Sequence, residues 1–585
     1  VDGALVKQSG DKPRNVLGVI AVALVAVMVQ LGSVLVDPVG IAVGGASTEA
    51  PGHFWGLWTT LGGLAEHGPW WRSAPEIGWP RGFEGHLIDP TSLLVFAPVA
   101  VLGDVGAAVL GWNLLVALAS VVAAVGGARL VRVVLGDVDL GVSVFAAAAT
   151  AFTAYSLAFP WLGRTEYLTL ALLPLQVSLL WQAAHSPGLR WCWALASGVT
   201  LGLVGANIGY GGLFAAFVNG GVAGLLLWRA PNRRTCVGVL VVVAGVGLLM
   251  STPSVVALLA DPSVRQKMRP MAQRVLGGEV CALFRACAPT GLQYRLDSPV
   301  YVGWVLPLVA FWGAWRSHSR SLPWLGLAAV ALVLSLGPGP YNARPAGWLV
   351  KLVPALRSVQ DWSRLAAVVP MLLVVPAALG LKEAPRWLAL ALAALLCVDT
   401  STYPRNRMAL ETPSFSPAPS SDLLEVLDQL PPGPIVTLPV EGRTASVDAH
   451  EVGFHALWAH THGRPVSARP DSFSDVTLSR SGLVQRTTQV AAALLEPVTV
   501  ELRDCMAGDV SMLAERGFVA LVLVDPAAHK EMSSWLSQVL GPPTVARPDA
   551  HGWSLSSSAA AAPCRVGALH TGPPSPRRSH HRMPH

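Results

Sequence analysis

Charge is what this 585-residue sequence has least of: 13% of its residues are Asp, Glu, Lys or Arg, whereas 52% are apolar. Soluble globular domains carry about 25% charged residues. The shortage excludes a soluble enzyme, and the apolar content excludes an intrinsically disordered chain. Cysteine is thin as well. Seven residues spread over the whole length are no disulfide framework, which excludes a stapled miniprotein. The 41 basic and 35 acidic residues leave a net charge of only +6. No basic patch with interleaved aromatics occurs, so no nucleic-acid partner is indicated. Neither a Gly-x4-Gly-Lys-Ser/Thr loop nor a His-Glu-x-x-His helix is present.

What remains is a set of long intervals without ionisable side chains. They cover residues 15–36, 105–128, 140–163, 167–184, 191–228, 236–260, 299–315, 321–343, 365–381 and 387–398. At 1.5 Å per residue, about 20 such residues cross a hydrocarbon core. The interval 191–228 is too long for one span and breaks at Asn207-Ile208-Gly209-Tyr210-Gly211-Gly212, a glycine turn. The pattern therefore predicts an α-helical polytopic protein of about eleven spans. The first interval follows Lys7, Lys12 and Arg14 and is read as a retained helix rather than a cleaved signal. Cys192, Cys236 and Cys397 fall in apolar runs and are read as core residues, while Cys281 and Cys287 lie close enough in a polar loop to pair.

Arg129/Arg132, Arg190, Arg229/Arg233/Arg234, Arg316/Arg320 and Lys382/Arg386 occupy alternate loops. Positive residues favour the cytoplasmic side. This orientation puts the N-terminus in the cytoplasm and everything after the last span outside it, in an inner (plasma) membrane. The first outer loop, 37–90, holds Trp55, Trp58, Trp70, Trp71 and Trp79. Its stretch His53–Glu66 predicts an amphipathic helix lying on the membrane, and Thr91–Leu102 is expected to rest at that depth without crossing. The multi-pass part is read as residues 1–400. Beyond it, a proline-rich linker leads into an α/β domain, 401–557, with a helix at Leu423–Leu430 and strands at Pro434–Pro439 and Phe518–Val524. The tail, 558–585, has the composition of a disordered segment. His450, His455, His460 and His462 are clustered, but their spacing scatters the rings around a helix and no metal site is read there.

Carboxylates of the membrane half are the informative residues. Glu49 follows the first span, Asp89 precedes the next apolar stretch, and Glu166 opens the fourth span. All three fall on the outer boundary. Two carboxylates converging there would take a proton from an acceptor hydroxyl or hold a divalent cation, Mg²⁺ or Mn²⁺. The plainer reading makes them interfacial helix-end charges, with Arg164 paired to Glu166.

The stretch Glu49-Ala50-Pro51-Gly52-His53-Phe54-Trp55 resembles the opening motif, Gly-Asp-x-x-x-His-x-Trp, of bacterial GT-C-type membrane glycosyltransferases of the YfhO-like kind. Asp89-Pro90, Trp112-Asn113-Leu114-Leu115, Phe159–Tyr167 and Leu352–Arg364 are similar to later segments of that family, in the same order. The resemblance implies a GT-C-like fold with an extracytoplasmic C-terminal domain. It also implies a sugar donor on polyprenyl phosphate and an envelope glycan, lipid or protein as acceptor. Residue by residue, it makes Glu49 the general base or metal-associated acid and Glu166 the second acidic position. His53, Asp89, Arg164, Arg357 and Arg364 become substrate-binding residues, Arg364 holding the lipid phosphate through its guanidinium fork with Lys351 adding charge. The plainer reading of Arg364 is headgroup snorkelling. Two departures stand out: Glu49 replaces an aspartate, and Gln360 stands where an arginine is common. The rival readings are a non-catalytic scaffold of envelope assembly and a transporter or flippase. The second would require mid-helix charges along a path and an inverted repeat.

Overall fold

The computed structural model describes residues 13–45, 50–67, 73–74, 83–84, 90–153, 155–157, 166–207, 210–260, 302–337, 344–352, 356, 362–407, 414–438, 458–459, 461–467, 499–527 and 529–556. The chain divides into two compact units, residues 1–74 with 84–418, and residues 75–83 with 419–585.

The first unit is helical. In chain order its helices are α1 (Pro13–Leu31), α2 (Ala50–His67), α3 (Pro90–Ala100), α4 (Val105–Leu135), α5 (Leu140–Ala151), α6 (Glu166–His185), α7 (Arg190–Ala206), α8 (Tyr210–Arg229) and α9 (Arg233–Ala260). They continue as α10 (Val305–Arg316), α11 (His318–Ser335), α12 (Pro345–Leu352), a 3₁₀ turn over Trp362–Val368, α13 (Val369–Leu381) and α14 (Arg386–Arg407). Each charge-free interval holds a helix, because a backbone in lipid must satisfy its own N–H and C=O groups. The glycine turn falls where the spacing predicts, between α7 and α8. Among the described residues, five helices, Val105–Leu135, Leu168–His185, Gly211–Arg229, Arg233–Val256 and Trp362–Leu381, are long and apolar enough to cross a membrane.

The unit has two recognisable ends. At one, the Asn15 amide donates to the Val138 carbonyl (3.3 Å), Lys382 Nζ to the Leu135 carbonyl (3.2 Å) and Arg229 to the Ser319 carbonyl (2.9 Å). Arg316 lies 3.9 Å from Glu383 there. This basic end gathers the loop arginines, with Trp191, Trp228, Trp315 and Trp387 exposed beside them, as expected for side chains at a headgroup level. At the other end, strand β1 (Ala42–Val43) pairs antiparallel with strand β2 (Ser414–Phe415). Near the basic end α10 crosses α13 on small residues. A Cβ at Gly313 of α10 would overlap the Pro376 carbonyl of α13, the close approach that small residues permit.

Three expectations need correction. Helix α5 stops at Ala151 rather than running on toward 163. There the Ser156 hydroxyl donates to the Ala151 carbonyl (2.7 Å), and Thr153 and Ser156 accept from each other's backbone N–H (2.8 and 2.9 Å). These local bonds compete with the helical ladder. Helix α2 does not keep an apolar side for lipid: Phe54, Trp55 and Leu57 are buried, Phe54 edge-on to Phe96 of α3 and Trp112 of α4. Cys192 is exposed on α7, while Cys236 is buried; an apolar run in lipid has an outward face that hydropathy alone does not mark. Cys281 and Cys287 lie outside the described residues.

The second unit is α/β. Helix α15 (Ser421–Gln429) leads to strand β3 (Ile435–Leu438), and α16 (Val500–Glu515) to β4 (Ala520–Val524). Helix α17 (Lys530–Leu540) is followed by β5 (Val545–Arg547) and β6 (Ala550–Ser554). The sheet order is β3-β4-β6-β5, parallel between β3 and β4 and antiparallel elsewhere. Ser420 caps α15 at the Leu423 N–H and Thr499 caps α16 at Leu502. Leu438, Met506, Phe518, Leu523, Trp535 and Trp553 form the core. Glu425 and Arg547 form an ion pair, which holds the glutamate below the ordinary carboxylate range.

Candidate functional site

The end opposite the basic one holds the first turn of α2, the starts of α3 and α6 and the 3₁₀ turn before α13. Helix α3, which begins just after Asp89, is tied to α7 by Thr91, whose hydroxyl donates to the Leu203 carbonyl (2.6 Å). Helix α6 begins at Glu166 and runs parallel to α4, since Arg129 of α4 reaches Gln182 of α6 (2.7 Å) and Gly126 faces Leu175. The 3₁₀ turn carrying Arg364 precedes α13, whose other terminus lies at the basic end.

The first loop is held most firmly. Asn113 of α4 donates to the Pro38 and Ile41 carbonyls (2.9 and 2.8 Å) and accepts from the Val43 N–H (3.0 Å). Trp112 Nε1 donates to the Val43 carbonyl (2.7 Å). Asn113 and Trp112 are both buried, so these bonds work where water does not compete. Gly44 follows at φ +133°, and a Cβ there would strike Ala50; only glycine fits that turn. Both flanks of the segment that contains Glu49 are thereby fixed.

Glu49, Asp89, Arg164 and Arg357 lie outside the described residues, and Glu166 is described in its backbone alone, as the first residue of α6. His53 is half-buried on the first turn of α2. Arg364 is half-buried between the buried Trp362, Ser363 and Leu365, with its Nε covered. Lys351 is exposed on α12. Among the described residues, no group of three or more His, Cys, Asp or Glu is placed to hold a metal ion.

Four aspartates of this unit are engaged by backbone. Asp104 accepts from Gly106 N–H (2.9 Å), Asp37 from Gly40 (2.9 Å) and, at the basic end, Asp139 from Val142 (2.8 Å). Asp399 of α14 accepts from the Trp304 and Val305 N–H groups (2.7 and 3.2 Å), closing the start of α10. Sequence reading missed Asp399 as an acid of this end. A lone aspartate late in the apolar run Leu395–Thr400 was the available signal, since such a residue needs a partner. It likewise left the Trp112-Asn113 pair as a likeness without a role.

No protein-family model and no curated protein matches the chain. Solved structures do. AftD, an arabinofuranosyltransferase from Mycobacteria, aligns over 88% of this chain and 37% of its own, at 17% identity and a TM-score of 0.51. The chain thus spans little more than a third of AftD. The oligosaccharyltransferase AglB from Archaeoglobus fulgidus, in complex with an inhibitory peptide and a dolichol-phosphate, aligns over 89% of this chain and 71% of its own at 12% identity and a TM-score of 0.47. ArnT from Cupriavidus metallidurans, bound to undecaprenyl phosphate, aligns over 94% and 99% at 14% identity and a TM-score of 0.43. The helical architecture, its tied-down first loop and the likeness to AftD together give the chain a GT-C-type fold.

Proposed function

We propose that this protein is an integral membrane glycosyltransferase that moves a sugar from a polyprenyl-phosphate donor to an envelope glycan, lipid or protein acceptor at the end opposite the basic one. The basic end is cytoplasmic by the distribution of its arginines, so the reaction faces outward. The observation that carries the reading is the anchored first loop of a GT-C-type fold. Trp112 and Asn113 fix the approach to the one acid that heads the sequence motif.

Glu49 accepts the proton of the acceptor hydroxyl as that oxygen attacks the anomeric carbon, and the lipid phosphate leaves with the bonding pair. Because the leaving group is already a phosphate, it needs little acid assistance. Arg364, with Arg357 and Lys351, stabilises the growing phosphate charge by charge-assisted hydrogen bonds. His53, Asp89 and Arg164 contact the substrates. Glu166 is the second acid, and with Glu49 it would be the pair to hold Mg²⁺ or Mn²⁺. Asp37, Asp104 and Asp399, engaged by backbone groups, are less free to act as the base.

Transfer from a radiolabelled polyprenyl-phosphate sugar in membranes tests the assignment. Glu49→Gln and Glu166→Gln are each expected to lower turnover by about 100-fold or more, the ordinary contribution of a positioned base. Full turnover in both variants would remove the catalytic roles.

A further inference from the structure

Arg129 is a charge of the basic end with no carboxylate partner among the described residues. It lies half-buried between α4, α6 and α7 rather than turned out to solvent. Its Nη2 donates to Gln182 Oε1 (2.7 Å) and its guanidinium carbon sits 5.2 Å from the centre of the Trp193 ring. Its Nε is fully covered and meets no acceptor. Trp193 Nε1, and the Nε of Arg190 one turn earlier on α7, are also covered donors without an acceptor. Among the described residues, no carboxylate pairs with Arg129 or Arg190. The Arg129 guanidinium thus meets the Trp193 ring with only a neutral amide to receive it, and Arg190 stands one turn away from Trp193 on α7. A half-buried cation left in that state is costly unless an anion completes it.

The surroundings indicate where that anion comes from. Leu114, Leu118 and Val125 are exposed along α4, and their spacing puts them on the same face as Arg129. This stripe runs about 22 Å from Leu114 to Arg129 at 1.5 Å per residue. Leu189 and Trp191, on either side of Arg190, are exposed as well. An apolar face leading up to a covered pair of arginines matches a molecule with an acyl chain and a phosphate head.

We propose that Arg129, Arg190 and Trp193 form a site for the phosphate of an anionic phospholipid in the leaflet at the basic end. It is separate from the donor site at the opposite end and does not depend on the activity proposed above. The phosphate oxygens accept from the guanidiniums, and an acyl chain lies along Leu114, Leu118 and Val125.

Native mass spectrometry of the full chain in neutral detergent tests this, with phosphatidylglycerol, phosphatidylcholine or inorganic phosphate added. The wild type is expected to retain phosphatidylglycerol at least fivefold better than the Arg129→Gln/Arg190→Gln double variant, and better than it retains phosphatidylcholine. Arg233→Gln/Arg234→Gln, which removes two exposed arginines of the same end, should leave retention unchanged. Should the double variant not fold, Arg190→Gln alone is expected to lower retention at least twofold. Equal retention by the arginine variants, or an equal loss in the Arg233/Arg234 control, would overturn the site. Displacement of phosphatidylglycerol by millimolar inorganic phosphate would overturn the lipid as its source.

Discussion

At the basic end of the helical unit, arginines lie against tryptophan rings: Arg129 over Trp193, Arg229 beside Trp228 and Arg316 over Trp312. At the opposite end, acids lie against backbone: Asp37, Asp104 and Asp399 each close a turn or a helix start. Arginine can keep its charge at a headgroup surface by stacking and reaching outward. A carboxylate near the bilayer boundary has no such reach and is satisfied by N–H groups. The asymmetry teaches that stacked arginines mark one end, while at the other carboxylates hold loops and helix starts still.

If that comparison is right, damage should stay local to the end or crossing it strikes. The largest stability effect is expected where α10 crosses α13, close to the basic end. Gly313→Leu forces α10 away from α13 and should cost about 3 kcal/mol, the upper range of overpacking, read as a lowered unfolding midpoint in detergent. Next comes Asn113→Leu, which strands the Val43 N–H and the Pro38 and Ile41 carbonyls. The part-buried carbonyls can turn to water, so the loss is that of the one buried N–H, about 1–3 kcal/mol. Hydrogen exchange should quicken at Val43 while the amides near Leu135 and Val138 keep their protection; quickening at both ends would erase the distinction. A smaller loss, about 1–2 kcal/mol by the usual cost of a lost cap, is expected for Asp399→Ala, confined to exchange at Trp304 and Val305.

The smallest effect lies in the α/β unit. His551 packs edge-on to Trp553 and meets the Ser533 hydroxyl at 3.0 Å, and burial lowers its pKa below the ordinary 6.5. The unfolded chain then binds the proton more readily than the folded unit. Stability from this group is whole above pH 6.5 and declines as pH falls below it. Exchange at β4 and β6 amides should show that decline, and His551→Gln should flatten it.

Most helices of the first unit were legible because they lie largely in runs without charge, where the backbone must satisfy its own polar groups. The α7–α8 break was legible for a similar reason, since Gly209, Gly211 and Gly212 interrupt an otherwise uniform run. The α/β elements at Leu423, Pro434 and Phe518 announced themselves by apolar periodicity and proline boundaries. The early stop of α5 did not, because Thr153 and Ser156 act through bonds a hydropathy pattern ignores. The burial of α2 was hidden too. Phe54 faces Trp112 across a loop whose course no local pattern specifies. The acids of the candidate site could be named but not sorted by role. Asp399 serves an N–H pair some 95 positions away in the chain, and nothing near it in sequence reveals that partner.

The pairing of Ala42 and Val43 with Phe415 and Ser414 also bears on the order in which the molecule is completed. Synthesis proceeds from the N-terminus, so the strand next to the first loop is made long before its partner. Trp112 and Asn113 can take hold of that loop early, as soon as α4 is in place. Its last hydrogen bonds must wait for the chain beyond α14. A nascent chain halted before residue 414 would therefore hold its spans but not the finished edge of its first loop.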